Sequence, residues 1–143
     1  MTSQFYFDTG ETASDEDQAT IDRGLTEFNE TSVDLSAVRP LSVFARNDQG
    51  EVIGGVSGRT WGECCEILVL WVEEASRGEG IGRTLMQNAE EEAARRGCHT
   101  VFLVTFSFQA PEFYERLGYE KKHAIEGMPD GICKFYMLRR LSD

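Results

Sequence analysis

A mixed α/β fold in one domain is what this chain predicts, and three observations predict it. Two apolar runs, CCEILVLWV (Cys64–Val72) and TVFLVTF (Thr100–Phe106), have strand length and are rich in β-branched and aromatic residues. Between them the period changes, with Ile81, Leu85, Ala89 and Ala93 recurring every fourth residue as on one face of a helix. Finally, 143 residues with 41% hydrophobic and 27% charged content suffice for a single core, so one domain over 1–143 is expected.

The elements follow in order. QFYFD, Gln4–Asp8, has three aromatic residues together and reads as a strand. Ser14 and Asp17 have capping-box spacing, and Ile21, Leu25 and Phe28 then line one face of a helix. After an irregular stretch ending at Pro40, LSVFAR and EVIGGVSG form two strands joined by NDQG, a hairpin turn. The run CCEILVLWV is apolar throughout instead of alternating, which predicts a strand buried on both faces, and TVFLVTF reads as a second. Gly97 stands where the intervening helix should stop. APEFYERLG reads as a short helix ending at Gly118, and ICKFYMLRRL as a last strand, with His123 in a loop between them.

The formal charge of -11 argues against nucleic acid as a partner, because phosphate binding needs clustered Lys and Arg; cationic small molecules suit it better. No apolar run reaches the roughly 18 residues of a membrane span, and no membrane partner is expected. The N-terminal residues lack the basic-then-apolar order of a signal peptide, and Cys64, Cys65, Cys98 and Cys133 have no metal-ligand spacing, so the expected home is a reducing cytoplasm. His99 and His123, lacking acidic neighbours at ligand spacing, imply no metal.

The most informative stretch is SRGEGIGRTL, Ser76–Leu85, with Gly78, Gly80 and Gly82 within five residues between a strand and a helix. Such a turn is where phosphate binds, because the first N–H groups of a helix lack helical partners and point outward. The dinucleotide fingerprint fails, since Arg83 stands where it needs glycine, and the spacing and missing lysine exclude a P-loop. What remains is Arg77-x-x-Gly80-x-Gly82.

Together with the surrounding EILVLWVEEASRGEGIGRTLMQNAEEEAARRGC and the later APEFYERLGY, this pattern resembles the GNAT N-acetyltransferase family. Arg77, Gly80 and Gly82 match the family's (Gln or Arg)-x-x-Gly-x-(Gly or Ala). Ala110, Phe113, Tyr114, Gly118 and Tyr119 match its later helix, while Ser107 stands where the family has Asn. The resemblance implies a mostly antiparallel central sheet flanked by helices and splayed between EILVLWV and TVFLVTF, with acetyl-CoA as cosubstrate in the gap. Its pyrophosphate would lie on Gly78, Glu79, Gly80, Ile81, Gly82 and Arg83, with Glu79 turned to solvent, and its pantetheine arm along Leu70 and Val72 like an added strand, near Ser107 and Ala110. Trp71 would then be a core residue on the opposite pleat.

The implied reaction is direct transfer of acetyl to a primary amine of a small molecule or protein. An alkyl amine with a pKa of about 10.4 costs about 4.6 kcal/mol to deprotonate at pH 7, so a base is needed. By position Glu66 matches the family's glutamate base, with Glu63 or a water chain as alternatives. The N–H of Leu70 would steady the carbonyl oxygen, and Tyr114 would protonate the departing thiolate. A homodimer is left open. Two other functions fit the same residues: an acetyl-CoA-binding sensor without turnover, and transfer of another acyl group or to another acceptor.

Overall fold

The computed structural model describes residues 4–141. The chain forms two units, one ending at Ser36 and the other starting at Ala37. The first contains one helix, α1 (Asp15–Ser32), started by Ser14, whose hydroxyl accepts the N–H of Asp17 at 3.1 Å. Gln4–Asp8, expected as a strand, has no ladder partner among the described residues. Three consecutive aromatic residues do not make a strand unless another receives their hydrogen bonds; here Phe5 and Phe7 meet edge to face.

The second unit is one six-stranded sheet with helices. In chain order it runs β1 (Arg39–Arg46), β2 (Val52–Trp61), β3 (Cys64–Val72), α2 (Ile81–Arg95), β4 (Thr100–Phe106), α3 (Pro111–Arg116), β5 (Glu120–Ile125) and β6 (Lys134–Arg140). Across the sheet the order is β1-β2-β3-β4-β6-β5, and only β3 and β4 are parallel. The α2 crossover requires this, since it returns the chain to the same end of the sheet. The β1–β2 turn is the expected NDQG. Asn47 Oδ1 accepts the N–H groups of Gln49 and Glu51, and Gly50 takes a φ of 80°.

Three expectations fail for identifiable reasons. β1 begins at Arg39, so Pro40 lies inside it; as an edge strand β1 tolerates a residue with no N–H. His123 lies on β5, not in a loop, paired with Tyr136. EKKHAI is exposed along its whole length, so this edge strand carries no alternating pattern to read.

The third failure concerns the two apolar strands, each buried on one face only. In β3, Cys65 and Ile67 point into the core, but so do Leu70 and Val72, and the change of parity is a bulge. Ser57 opposes Val69 and Gly58 opposes Ile67, leaving Leu68 as an extra residue. Leu68, Val69 and Trp71 are therefore exposed on the outer face, and Trp71 is not a core residue. An apolar run that changes face halfway looks continuous in sequence.

The core lies between the inner face of the sheet and α2. Leu85, Met86, Ala89 and Ala93 pack on Leu41, Val56, Cys65, Ile67, Val101, Leu103 and Met137. Burial pushes the Cys65 thiol up to about 12, consistent with a packing role. Two polar clamps fix α2. Glu90, itself buried, accepts the Tyr119 hydroxyl at 2.7 Å and Arg139 Nη1 at 2.8 Å. Arg96, just past the helix end, donates through Nη1 to the Pro40 carbonyl and Thr60 Oγ1, at 2.9 and 3.1 Å.

The bulge makes a stability prediction. A Cβ at position 58 would collide with the Glu66 carbonyl oxygen, and that oxygen is backbone and cannot swing away. Gly58→Ala should lower stability by about 1–3 kcal/mol, or roughly 5–10 °C in Tm by calorimetry. Gly62→Ala, at a position with open space but a φ of 58°, controls for backbone strain alone.

Candidate active site

β3 and β4 pair over only four residues, from Cys64↔Thr100 to Ile67↔Leu103. The bulge at Leu68 follows at once, and from there the β4-facing edge of β3 has no strand on it. Between the separating strands lies a cleft of about 310 Å³, lined by Ile67, Leu68, Val69 and Leu70, by Leu103, Val104 and Thr105, and by Gln109 and Tyr114. Backbone groups along a strand edge that nothing pairs are ready to hold an amide chain.

The start of α2 has the properties the glycine loop predicts. Gly80, its N-cap, is left-handed at φ 82° and offers no side-chain cap, and Gly78 has a φ of 86°. The first helical hydrogen bond is from Thr84 N to the Gly80 carbonyl, at 3.1 Å, so the N–H groups of Ile81, Gly82 and Arg83 precede the helical ladder. Nothing stands within 4 Å of where a Cβ would sit on Gly78 or Gly80. At Gly82 a Cβ would reach Phe113 Cζ at 3.3 Å, so this glycine lets α3 close on α2. Open space, uncapped donors and the positive end of a 15-residue helix together fit a diphosphate.

The other expected residues separate into those whose polar groups are engaged within the chain and those whose groups are not. Arg77 donates Nε to the Val72 carbonyl at 3.0 Å, tying the loop back to β3. Glu66 is bound to Arg59, with Oε1 2.8 Å from Nη2 and 3.0 Å from Nε. Ser107 accepts the N–H of Cys133 on its hydroxyl at 3.0 Å and donates its own N–H to the Cys133 carbonyl, joining the ends of β4 and β6. Ala110 holds a φ of 57° where the chain turns into α3. Glu79 is exposed beside the loop. Glu63 accepts the N–H of His99 on its carbonyl, in the turn before β3.

Tyr114 reaches the cleft from α3, its ring edge-on to Phe113 and Tyr119. Burial raises its pKa above the ordinary value of a phenol, so near neutral pH it is a proton donor. Sequence reasoning missed Gln109, whose Oε1 accepts the Phe106 N–H at 2.8 Å at the cleft wall. It also missed Arg59; the cross-strand pairing of Arg59 with Glu66 was discoverable only once the hairpin register was known. Among the described residues no helix is long and apolar enough to cross a membrane.

A sheet opened between two parallel strands, with a donor-lined cleft and an anion-ready helix start beside it, defines an acyl-CoA N-acyltransferase fold. The chain belongs to the acetyltransferase (GNAT) family, whose model matches residues 5–119. It is 36% identical over 107 residues to the blasticidin-S acetyltransferase of Streptomyces morookaense, covering 72% of this chain and 79% of that one. It is 34% identical over 116 residues to an acetyltransferase of Agrobacterium fabrum, covering 81% and 85%. Among solved structures, an acetyltransferase from Bacillus cereus superposes with a TM-score of 0.76 at 29% identity, covering 94% of this chain and 98% of that one. The chain is an acetyl-CoA-dependent N-acetyltransferase.

Coenzyme A should therefore raise the melting temperature, and Gly80→Asp should weaken its binding by about tenfold or more by setting a carboxylate against the diphosphate. Gly80→Asn has similar size and backbone strain without the charge and should lose less. Equal affinity in folded parent and Asp variant, by calorimetry, would move the diphosphate away from this loop.

Proposed function

We propose that the acceptor is a small-molecule amine, acetylated in the cytoplasm by direct attack on the thioester, with Tyr114 as acid and Glu66 as proton acceptor. In net terms a C–N bond forms and the C–S bond breaks. Counted from the ammonium form, two protons leave the nitrogen; the thiolate takes one up and the other passes to solvent. Acetyl-CoA supplies the activated acetyl group, and the chain's own residues hold it and handle the two protons.

The observation that carries this reading is Tyr114 in the wall of the cleft. Its hydroxyl makes no hydrogen bond among the described residues, and its raised pKa keeps the proton in place. The uncapped N–H groups of Ile81, Gly82 and Arg83 would hold the diphosphate, and the β3 edge at Leu70 and Val72 the pantetheine arm, the Val72 carbonyl also accepting Arg77 Nε. The N–H of Leu70 would face the carbonyl oxygen, where a good donor lowers the barrier by about 3–4 kcal/mol. Because Ser107 is engaged with Cys133, its contribution would be to shape the loop. Glu66 has Oε1 bound to Arg59, leaving Oε2 to accept a proton, directly or through water. The name of the Streptomyces relative, an acetyltransferase for blasticidin-S, supports a small-molecule acceptor. The match from residue 5 to 119 draws on both units of the chain and supports one acetyltransferase domain.

Two measurements test the roles. Tyr114→Phe should slow single-turnover transfer while leaving the acetyl-CoA Kd and the Tm nearly unchanged, since only a hydroxyl is removed. Because burial raises the Tyr114 pKa, its protonated form persists at and above pH 10, and its contribution to rate should not fall off below that pH. A parent-like single-turnover rate in the Phe variant would assign the proton to solvent.

Glu66→Gln should lower kcat/KM by about 10²- to 10⁴-fold and remove the acidic limb of the pH profile. If Glu66 serves only to hold Arg59, the same variant should keep its profile and lose no more than about 1 kcal/mol of stability, as for other exposed pairs.

A further inference from the structure

We propose that a groove on the outer face of β1–β3, between Phe44 and Trp71, receives a flat, uncharged ring carried by the acceptor amine. This rests on the acetyl-transfer reading above and adds the chemical class of its acceptor. The groove has a volume of about 180 Å³ and is lined by Phe44, Val52, Gly55, Val56, Ser57, Val69 and Trp71.

Three observations support it. The first is register: Phe44 pairs with Gly55 and Gly55 with Trp71, so two aromatic side chains flank a glycine across three strands. Having no Cβ, Gly55 lets the Phe44 ring lie close over β2, where a Cβ would stand 3.0 Å from it, and the groove runs between that ring and Trp71. The second is exposure. Phe44 is 54% exposed, Val69 57% and Trp71 50%, a contiguous apolar patch on a face where alternation would put polar residues. The third is continuity, because Val69 lines both this groove and the cleft between β3 and β4. An acceptor whose ring lies in the groove has its far end at the opening of the cleft.

The lining also sets the charge of the ring. Among the described residues no charged side chain lines the groove, and the Arg46 guanidinium lies 5.8 Å from the centre of the Phe44 ring, where it disfavours a second cation. The acceptor's positive charge belongs at the other end, toward Glu66, whose Oε2 lies outside the contact with Arg59. Along the outer face the cross-strand pairs run Gly55–Trp71, Ser57–Val69, Arg59–Glu66, so carboxylate and ring site lie on opposite sides of Val69. From Trp71 to Val69 is two residues of strand, about 7 Å, which fits a linker of about two or three atoms between ring and amine.

The test uses the full chain with acetyl-CoA and two series of primary amines of matched pKa: phenylalkylamines with one to four linking carbons, and unbranched alkylamines. The expected result is a kcat/KM about tenfold or more higher for the best phenylalkylamine than for alkylamines, with an optimum at two or three linking carbons. Trp71→Ala and Phe44→Ala should each raise the KM of the ring-bearing amines about tenfold. They should leave the alkylamine constants and the acetyl-CoA KM within about twofold of the parent. Both side chains are half exposed, and Trp71→Leu, which keeps apolar cover without the flat ring, serves as the second variant if Trp71→Ala melts early. Equal kcat/KM for both series in the parent, or variants that lose both series equally, would overturn the groove.

Calorimetry of phenylalkylamine binding to protein saturated with coenzyme A separates this inference from the reading beneath it. Trp71-dependent binding without acetyl transfer to any amine would sink the transferase reading and keep the groove. Transfer to alkylamines with no Trp71-dependent ring binding would do the reverse.

Discussion

The chain opens its sheet by inserting one residue. β3 and β4 leave each other after Ile67 and Leu103, and Leu68 is the next residue, a bulge opposite the Ser57–Gly58 bond of β2. A bulge bends its strand and adds right-handed twist, so it can turn β3 away from a parallel neighbour while β2 continues to pair with it. The inner face remains continuous because the parity changes with the bend: Cys65 and Ile67 before it, Leu70 and Val72 after it, all meet the same core. The outer face acquires Leu68, Val69 and Trp71 for the same reason. Cleft, free strand edge and exposed aromatic patch all follow from this extra residue, and Gly58 permits it by having no Cβ to meet the Glu66 carbonyl.

An opened sheet would gain little if the helix beside it could drift. α2 is held through its C-terminal half, by Glu90 to Tyr119 and Arg139 and, just past its end, by Arg96 to β1 and β2. Burial and the Glu90 carboxylate hold the Tyr119 phenol well above its ordinary pKa range, so it remains a donor in this network. The clamps join α2 to strands on both sides of the opening, since β1 and β2 lie on one side and β6 on the other. The N–H groups at Ile81–Arg83 stand at the far end of the same helix and are referred to both walls through it.

How far the sequence could be read depended on whether a feature was local. The Asn47–Gly50 turn, the cap at Ser14, the four-residue period from Ile81 to Ala93 and the glycine-rich turn that opens α2 are properties of neighbouring residues, and each was legible. The bulge was not, because Leu68 is extra only relative to Ser57 and Gly58, and a uniformly apolar run conceals a change of face. Glu90, Arg96 and Arg59 were missed for a related reason: each looks like one more surface charge until distant elements bring its partner. Glu90 meets Arg139 from 49 positions away, and Arg96 meets Pro40 from 56. Gln4–Asp8 erred in the opposite direction, having a local pattern with no partner to complete it.

The placement of the side chains also bears on Ser107, where the family's asparagine is missing. Arg77, Ser107 and Gln109 each have a polar group bound to main chain of their own unit: the Val72 carbonyl, the Cys133 N–H and the Phe106 N–H. What they leave open is also main chain, namely the first N–H groups of α2 and the unpaired edge of β3. In the proposed reading a cradle built this way would recognise diphosphate and amide groups through backbone geometry, so a side chain at its rim could change from asparagine to serine without removing the donors. It is correspondingly sensitive to anything that moves the backbone. The acceptor end has the opposite character, being built from the outward side chains of Phe44, Val69 and Trp71, each of which can change without disturbing a strand. One fold can therefore keep its acyl donor fixed while the acceptor varies from relative to relative.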